Sequence, residues 1–226
     1  MQSFFLKYKT LWIVLAVLSV VIIYLIYGAL KPEEPNLPVY QPKGTGLNTE
    51  LVDSTIQHVK KNHTIADFKL TNQNGKTITQ EDYKDKIYVA DFFFTTCQTI
   101  CPIMTDHMAQ IQEKIKNNPD VLLLSHTVTP EIDTVAQLKK YALEKGVDDS
   151  KWNLVTGSKI EIYDLARKSY MVAKENPDDP YGLVHTENFA LVDKKRRVRG
   201  FYDGTLPEDI DRLLLDIEKL QKEYKD

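Results

Sequence analysis

Ile87-Tyr-Val-Ala-Asp-Phe-Phe-Phe-Thr-Thr-Cys-Gln-Thr-Ile-Cys-Pro-Ile-Met104 is the stretch that decides the fold. Its first part, Ile87 to Phe94, is mostly apolar and rich in β-formers, which predicts a buried central strand. Beyond it, Met104 to Ile115 has helical spacing. Between the two lie the only cysteines of the chain, Cys97 and Cys101, with three residues separating them. A cysteine pair at a strand-to-helix turn faces the positive end of a helix. That position lowers thiol pKa and favours thiolate, the form that attacks disulfides and binds soft metals.

Outward from this turn the pattern alternates. Upstream, Ile65 to Leu70 and Lys76 to Thr79 flank Asn72-Gln-Asn-Gly75, whose Asn-Gly ending signals a β-hairpin. Asn48 to Lys61 has a weak helical pattern. Downstream, Val121 to His126 predicts a second buried strand, and Thr134 to Lys145 a helix stopped by Gly146. Trp152 to Val155 is a short extended segment. Ser158 to Ser169 predicts a helix, with Ser158 as cap and Glu161 three residues later. Lys174 to Val184, with Pro177 and Pro180, reads as a loop. Phe189 to Val192 and Val198 to Tyr202 form a hairpin, and Thr205-Leu-Pro-Glu208 opens a last helix with a capping-box pattern. Strand, helix, strand, helix, hairpin and helix is the thioredoxin-like order of an α/β domain, preceded by an extra N-terminal β-hairpin.

The N-terminus predicts where this domain works. Leu11 to Leu30 is an uncharged run of 20 residues, reaching ~30 Å as a helix, about one hydrocarbon core. Lys7 and Lys9 precede it without an acidic residue, which keeps residues 1–10 on the cytoplasmic side. A cleavable signal peptide is the rival reading, but the run is long for one and no small-x-small site follows. The absence of arginine before Arg167 argues against a mitochondrial presequence. The expected organisation is thus a cytoplasmic tail (1–10), a single transmembrane helix as signal anchor (11–30), a proline-rich tether (31–46) and one domain (47–226). Residues 1–31 hold three lysines and no acid, leaving 26 of the 29 basic residues against all 32 acidic ones. That balance excludes a nucleic-acid binder. Two close cysteines also close only a tiny loop, which weakens a purely structural disulfide as their purpose.

Several separated segments share a further pattern: Ala66-Asp-Phe-Lys-Leu-Thr-Asn-Gln-Asn-Gly-Lys76, the turn ending in Cys101-Pro102, Thr129-Pro-Glu-Ile-Asp-Thr134, Trp152-Asn-Leu-Val-Thr-Gly157 and Val184-His-Thr-Glu187. Together they resemble the Sco/SenC family of copper-binding proteins that help assemble the copper centre of cytochrome oxidase. The resemblance runs from about His63 to the C-terminus. It implies a thioredoxin-like fold, one copper per chain as Cu(I) or Cu(II), and Cys97, Cys101 and His185 as its ligands. It further implies a copper-accepting cytochrome c oxidase subunit as partner, with an upstream copper donor or thiol reductant. The implied location is the bacterial inner membrane, with the domain on the periplasmic or extracytoplasmic side. Three positions depart from the family pattern: Gln98 stands where proline is usual, Thr129 where aspartate is usual, and Val184 where aspartate is frequent.

The residue chemistry is compatible with that implication. If the helix begins near Cys97, positions 97 and 101 lie one turn apart on one face. Two soft thiolates suit Cu(I), and an imidazole extends the site to Cu(II); a closed zinc site would need a fourth ligand. The other class of function is a thiol-disulfide oxidoreductase, with Cys97 attacking and Cys101 resolving. A peroxidase of the same fold would need a threonine where Phe94 stands. Met104 and Met108 form a stripe expected in the core, and His107 lies off it. His58, His63 and His126 are expected in surface or satisfied polar roles. Lys194-Lys-Arg-Arg197 with Arg199 reads as a solvated hairpin turn, or a docking patch for anionic lipid or an acidic partner.

Overall fold

A computed structural model describes residues 8–30, 36–44, 52–173 and 186–225, with the backbone alone for 28–30. The chain divides into two compact units, Met1–Pro35 and Asn36–Asp226. The first contains α1, Lys9–Leu30, an α-helix of 22 residues that is long and apolar enough to cross a membrane. Trp12 near its start and Tyr24 and Tyr27 near its end are exposed, the residue types that favour the two membrane–water interfaces.

The second unit is built on a seven-stranded mixed sheet of order β2-β1-β5-β4-β3-β6-β7. Its strands are β1 (Lys69–Asn72), β2 (Thr77–Thr79), β3 (Ile87–Phe93), β4 (Val121–Thr127), β5 (Trp152–Thr156), β6 (Asn188–Val192) and β7 (Val198–Asp203). The helices are α2 (Ile100–Ile115), α3 (Val135–Lys145), α4 (Lys159–Asp164) and α5 (Pro207–Lys222). Central strand β3 is buried throughout. It runs parallel to β4, from Ile87 opposite Val121 to Phe93 opposite Thr127, and antiparallel to β6. Side chains alternate across a strand, so Ile87, Val89 and Phe93 join Met104, Met108 and Ile111 of α2 and Leu213 and Ile217 of α5 on one side. Tyr88, Ala90 and Phe92 join Ile162, Tyr163 and Tyr170 on the other. A strand covered on both faces has no polar alternation, which is why this run is almost wholly apolar.

The N-terminal hairpin forms as expected, β1 against β2, and β1 continues the sheet by pairing with β5. Gly75 takes φ +75 in its turn, where its N–H donates to the Asn72 carbonyl at 2.9 Å. Gly146 ends α3 at φ +68, a conformation that favours glycine.

Several elements differ from the sequence expectation. Residues 52–61 form turns rather than a helix. The Asp53 carboxylate accepts from both the N–H and hydroxyl of Thr55, a local bond that competes with helix formation. Ser158 precedes α4 without a side-chain cap, and the Glu161 carboxylate, the other half of the expected box, accepts from Lys69 N at 2.8 Å. The helix then widens into a π turn over Leu165–Ser169. Thr205 and Glu208 form no capping box; Leu206 is the N-cap residue of α5, while Asp203 accepts from Thr205 and Asp209 accepts from Asp203 N. The loop expected over 174–184 lies outside the described residues.

The tether also differs. Its part from residue 36 to 44 is not a free spacer but a strap laid on the domain. Tyr40 N donates to Val198 O at 2.9 Å, and its ring meets Phe201 edge-on at 4.9 Å. Lys43 N donates to Val59 O, and Gln41 accepts from His63 N. The carbonyls of Leu37 and Pro38 accept from Arg199 at 2.6 and 3.0 Å. Compactness therefore begins at Asn36, not at Leu47.

Those contacts also correct the solvated-turn reading of the basic run. Arg199 is buried, and with Arg197 it converges on Asp193, while Lys194 pairs with Asp120. The turn's cations are largely engaged within the domain.

Candidate metal and dithiol site

The cysteine turn leaves the end of β3 and enters α2. Helix α2 begins at Ile100, so Cys97 lies in the loop ahead of it and only Cys101 is in the first turn. The two are therefore not one helical turn apart on a common face, as a helix starting at Cys97 would place them. They are nonetheless near enough that each shifts the other's pKa. Both are free thiols, Cys97 half-buried and Cys101 buried.

Their environments separate them chemically. Partial burial works to raise the Cys97 pKa. It is outweighed by hydrogen bonds from the Thr99 hydroxyl, 3.5 Å away, from the Thr99 and Cys101 backbone N–H groups and from the Cys101 thiol, and the pKa comes down to about 7. Those N–H groups belong to the unsatisfied start of the helix, as the strand-to-helix position predicts. Burial pushes Cys101 up to about 12, and the neighbouring Cys97 and Asp91 add to that rise. One thiol is thus poised as thiolate near neutral pH while its partner holds its proton.

His185, the third expected ligand, lies outside the described residues, as does Val184. Thr186, the next residue after it, is buried and leads into β6. Among the described residues no group of three or more His, Cys, Asp or Glu gathers. Met104 and Met108 are buried in the core, as expected. His107 is buried and bonds Gly204 O at 2.7 Å, and His63 bonds Ser169 O at 2.8 Å. His126 departs from its expected role. It is fully buried, stacked on Phe92 at 4.7 Å, and its Nε2 has no hydrogen-bond partner among the described residues.

Around the turn stand polar groups that the sequence reading gave no role. Asp133 is wholly buried and collects donors from Thr95, Thr127 and Thr129. Asp91, on β3, accepts from Ser125, which accepts in turn from Trp152 Nε1 at 2.8 Å. The signal for Asp91 was present as a lone acid inside an apolar strand.

Strand order, parallel crossovers and a cysteine turn at the end of the central strand define a thioredoxin-like protein, here with the hairpin β1–β2 added ahead of its core. Residues 56–222 match the SCO1/SenC family model, and the chain belongs to that family. It is 36% identical over 159 residues to the SCO1 protein homolog of Bacillus subtilis, covering 70% of this chain and 82% of that one. Among solved structures it resembles BsSco, described as a member of the Sco family of cytochrome c oxidase assembly proteins with a disulfide switch. That match has 35% identity and a TM-score of 0.62, over 71% of this chain and 95% of the other. It also resembles Arabidopsis thaliana ScoI with copper bound, at 30% identity and a TM-score of 0.54, over 68% of this chain and 98% of the other.

Proposed function

We propose that this chain binds one copper ion through Cys97, Cys101 and His185 and passes it to a copper-accepting subunit of cytochrome c oxidase. The observation that carries this reading is the pair of free thiols at the helix start, each acting on the other's pKa and one of them poised as thiolate. Soft thiolates suit Cu(I), and an added imidazole also accommodates Cu(II). The relatives support it: Arabidopsis ScoI holds copper, and BsSco belongs to an oxidase-assembly family. Acceptor thiolates would displace the chain's ligands one at a time, so that copper is handed over without being released. An upstream donor loads the site, or a thiol reductant keeps it open, since a Cys97–Cys101 disulfide uses the same sulfurs.

The reading places α1 across the bacterial inner membrane as a signal anchor. Residues 1–10 are then cytoplasmic, and the domain faces the periplasmic or extracytoplasmic side, in keeping with Lys7 and Lys9 ahead of the span.

Copper stoichiometry tests the proposal, measured on the reduced whole chain in detergent by Cu(I) competition and Cu(II) absorption. One copper per chain is expected, lost in Cys97→Ala and Cys101→Ala, and weakened or spectrally altered in His185→Ala. Absence of specific copper binding, with a readily cycling Cys97–Cys101 disulfide, would sink it.

The contrast between the two thiols favours a second reading, a thiol-disulfide oxidoreductase acting on acceptor cysteines. Cys97 thiolate would attack a partner disulfide and release one partner thiol. Cys101 would then displace the other, leaving a Cys97–Cys101 disulfide and a partner reduced by two electrons. His185→Ala leaves this exchange nearly intact while weakening Cu(II) binding, so the variant separates the two readings.

A further inference from the structure

We propose that Asp133 is the positioning residue of the cysteine turn, its carboxylate holding, through Thr95, the backbone that presents Cys97. The inference rests on the reading of Cys97 as the working thiol. Asp133 is fully buried, and no cation lies within ion-pair distance of it among the described residues. A buried carboxylate without a counter-cation is costly unless donors converge on it, and here they do. One oxygen accepts from the Thr95 hydroxyl at 2.5 Å; the other accepts from Thr95 N at 3.2 Å, from the Thr127 hydroxyl and from the Thr129 hydroxyl at 3.1 Å. Thr95 Oγ1 is further held by Gln137 Nε2 of α3 at 3.0 Å.

The donors are not equivalent. Thr127 ends β4 and Thr129 follows it, whereas Thr95 begins the turn, two residues ahead of Cys97. Within that turn, Cys97 N reaches Phe94 O at a long 3.3 Å. The turn is thus held more firmly by its anchor to Asp133 than by its own closing bond. Thr129, which stands where the family usually has aspartate, serves here as a donor to this same carboxylate. Asparagine at 133 keeps the size but turns one acceptor oxygen into an amide donor facing hydroxyls that already donate.

The test compares Asp133→Asn, Thr95→Val and Thr127→Val in the reduced whole chain in detergent. Three quantities are read: Cu(I) affinity, the Cys97–Cys101 dithiol–disulfide equilibrium against glutathione, and the melting temperature. Asp133→Asn and Thr95→Val are expected to lower copper affinity about tenfold or more, the scale of a lost support behind a ligand. They are also expected to move the dithiol equilibrium about tenfold, or ~30 mV for a two-electron couple. Thr127→Val removes a donor to the same carboxylate but not to the turn; it is expected to lower the melting temperature and leave the other two readouts at wild-type values. The proposal is overturned if Thr127→Val moves the thiol readouts as far as Thr95→Val does, or if Thr95→Val moves neither. Thr95→Val keeps the carboxylate and its β4 bonds, so it decides the matter even where Asp133→Asn does not fold. Should the wild type bind no copper, the metal reading falls while the glutathione equilibrium still judges Asp133.

Discussion

Asp193→Ala is expected to lower the stability of the domain by about 3–5 kcal/mol, the range for removing one partner of a buried ion pair. Asp193 and Arg199 are both buried, and their 3.0 Å bond lies at the β6–β7 turn. The same carboxylate accepts from Lys195 N and Arg197 N at 2.9 Å and from Arg197 Nε at 2.8 Å. Burial works to raise its pKa, but these bonds outweigh it and hold the carboxyl below its ordinary value. Without it, the Arg199 guanidinium keeps, among the described residues, only Glu223, at 2.6 Å, as a charged partner. Asp193→Asn retains an acceptor for the turn N–H groups, so its loss should be smaller. Urea denaturation of the whole chain in detergent measures both. A loss under about 1 kcal/mol for the alanine variant would mean that the pair behaves as a solvated surface bridge.

The second large effect is one that the wild-type chain should hide. Burial lowers the His126 pKa to about 4 and raises that of Asp91 to about 7. Between pH 4 and 6.5 the unfolded chain protonates His126 and the folded one does not, so this residue makes stability fall as pH falls. Over nearly the same window the folded chain keeps the Asp91 proton and the unfolded one has lost it, so this residue makes stability fall as pH rises. The two proton counts cancel, and together they leave stability flat. Each single variant should expose the other residue. Asp91→Asn is expected to gain stability with rising pH by about 1.4 kcal/mol per pH unit from pH 4 to 6.5. His126→Phe, which suits a site lined by Phe68, Phe92 and Tyr170, is expected to lose stability at that rate up to pH 7. Denaturation midpoints across pH 4–7 check this, and two variants whose profiles parallel the wild type would refute it.

What could be read from the sequence is what local periodicity encodes. Ile87 to Phe94, Val121 to His126 and the Asn72–Gly75 turn announce themselves because their patterns are short-range. Helix α2 is also legible, but its start is not. Thr99 begins the helix without a side-chain cap and turns its hydroxyl to Cys97 instead, so no capping pattern marks the boundary. The two cysteines were evident from composition alone. Their opposite pKa shifts were not, because these depend on which sulfur the fold buries. Asp133 was legible only as a letter in a motif: its donors come from positions 95, 127 and 129, which only the parallel pairing of β3 and β4 brings side by side. Arg199 misled for the same reason. A basic residue near other basic residues reads as solvent-facing until Leu37, Pro38 and Glu223, all remote in sequence, are placed around it.

The strap of residues 36–44 makes the domain's N-terminal edge a mechanical joint. Any pull transmitted along the chain from Asn36 meets first the Leu37 N–H held by Glu223 and the Leu37 and Pro38 carbonyls held by Arg199. Glu223 follows the last helix and Arg199 sits in the last strand, so the load enters the fold through its C-terminal elements. The cysteine turn, at the far end of β3 in sequence and bonded to other residues, carries none of that first load.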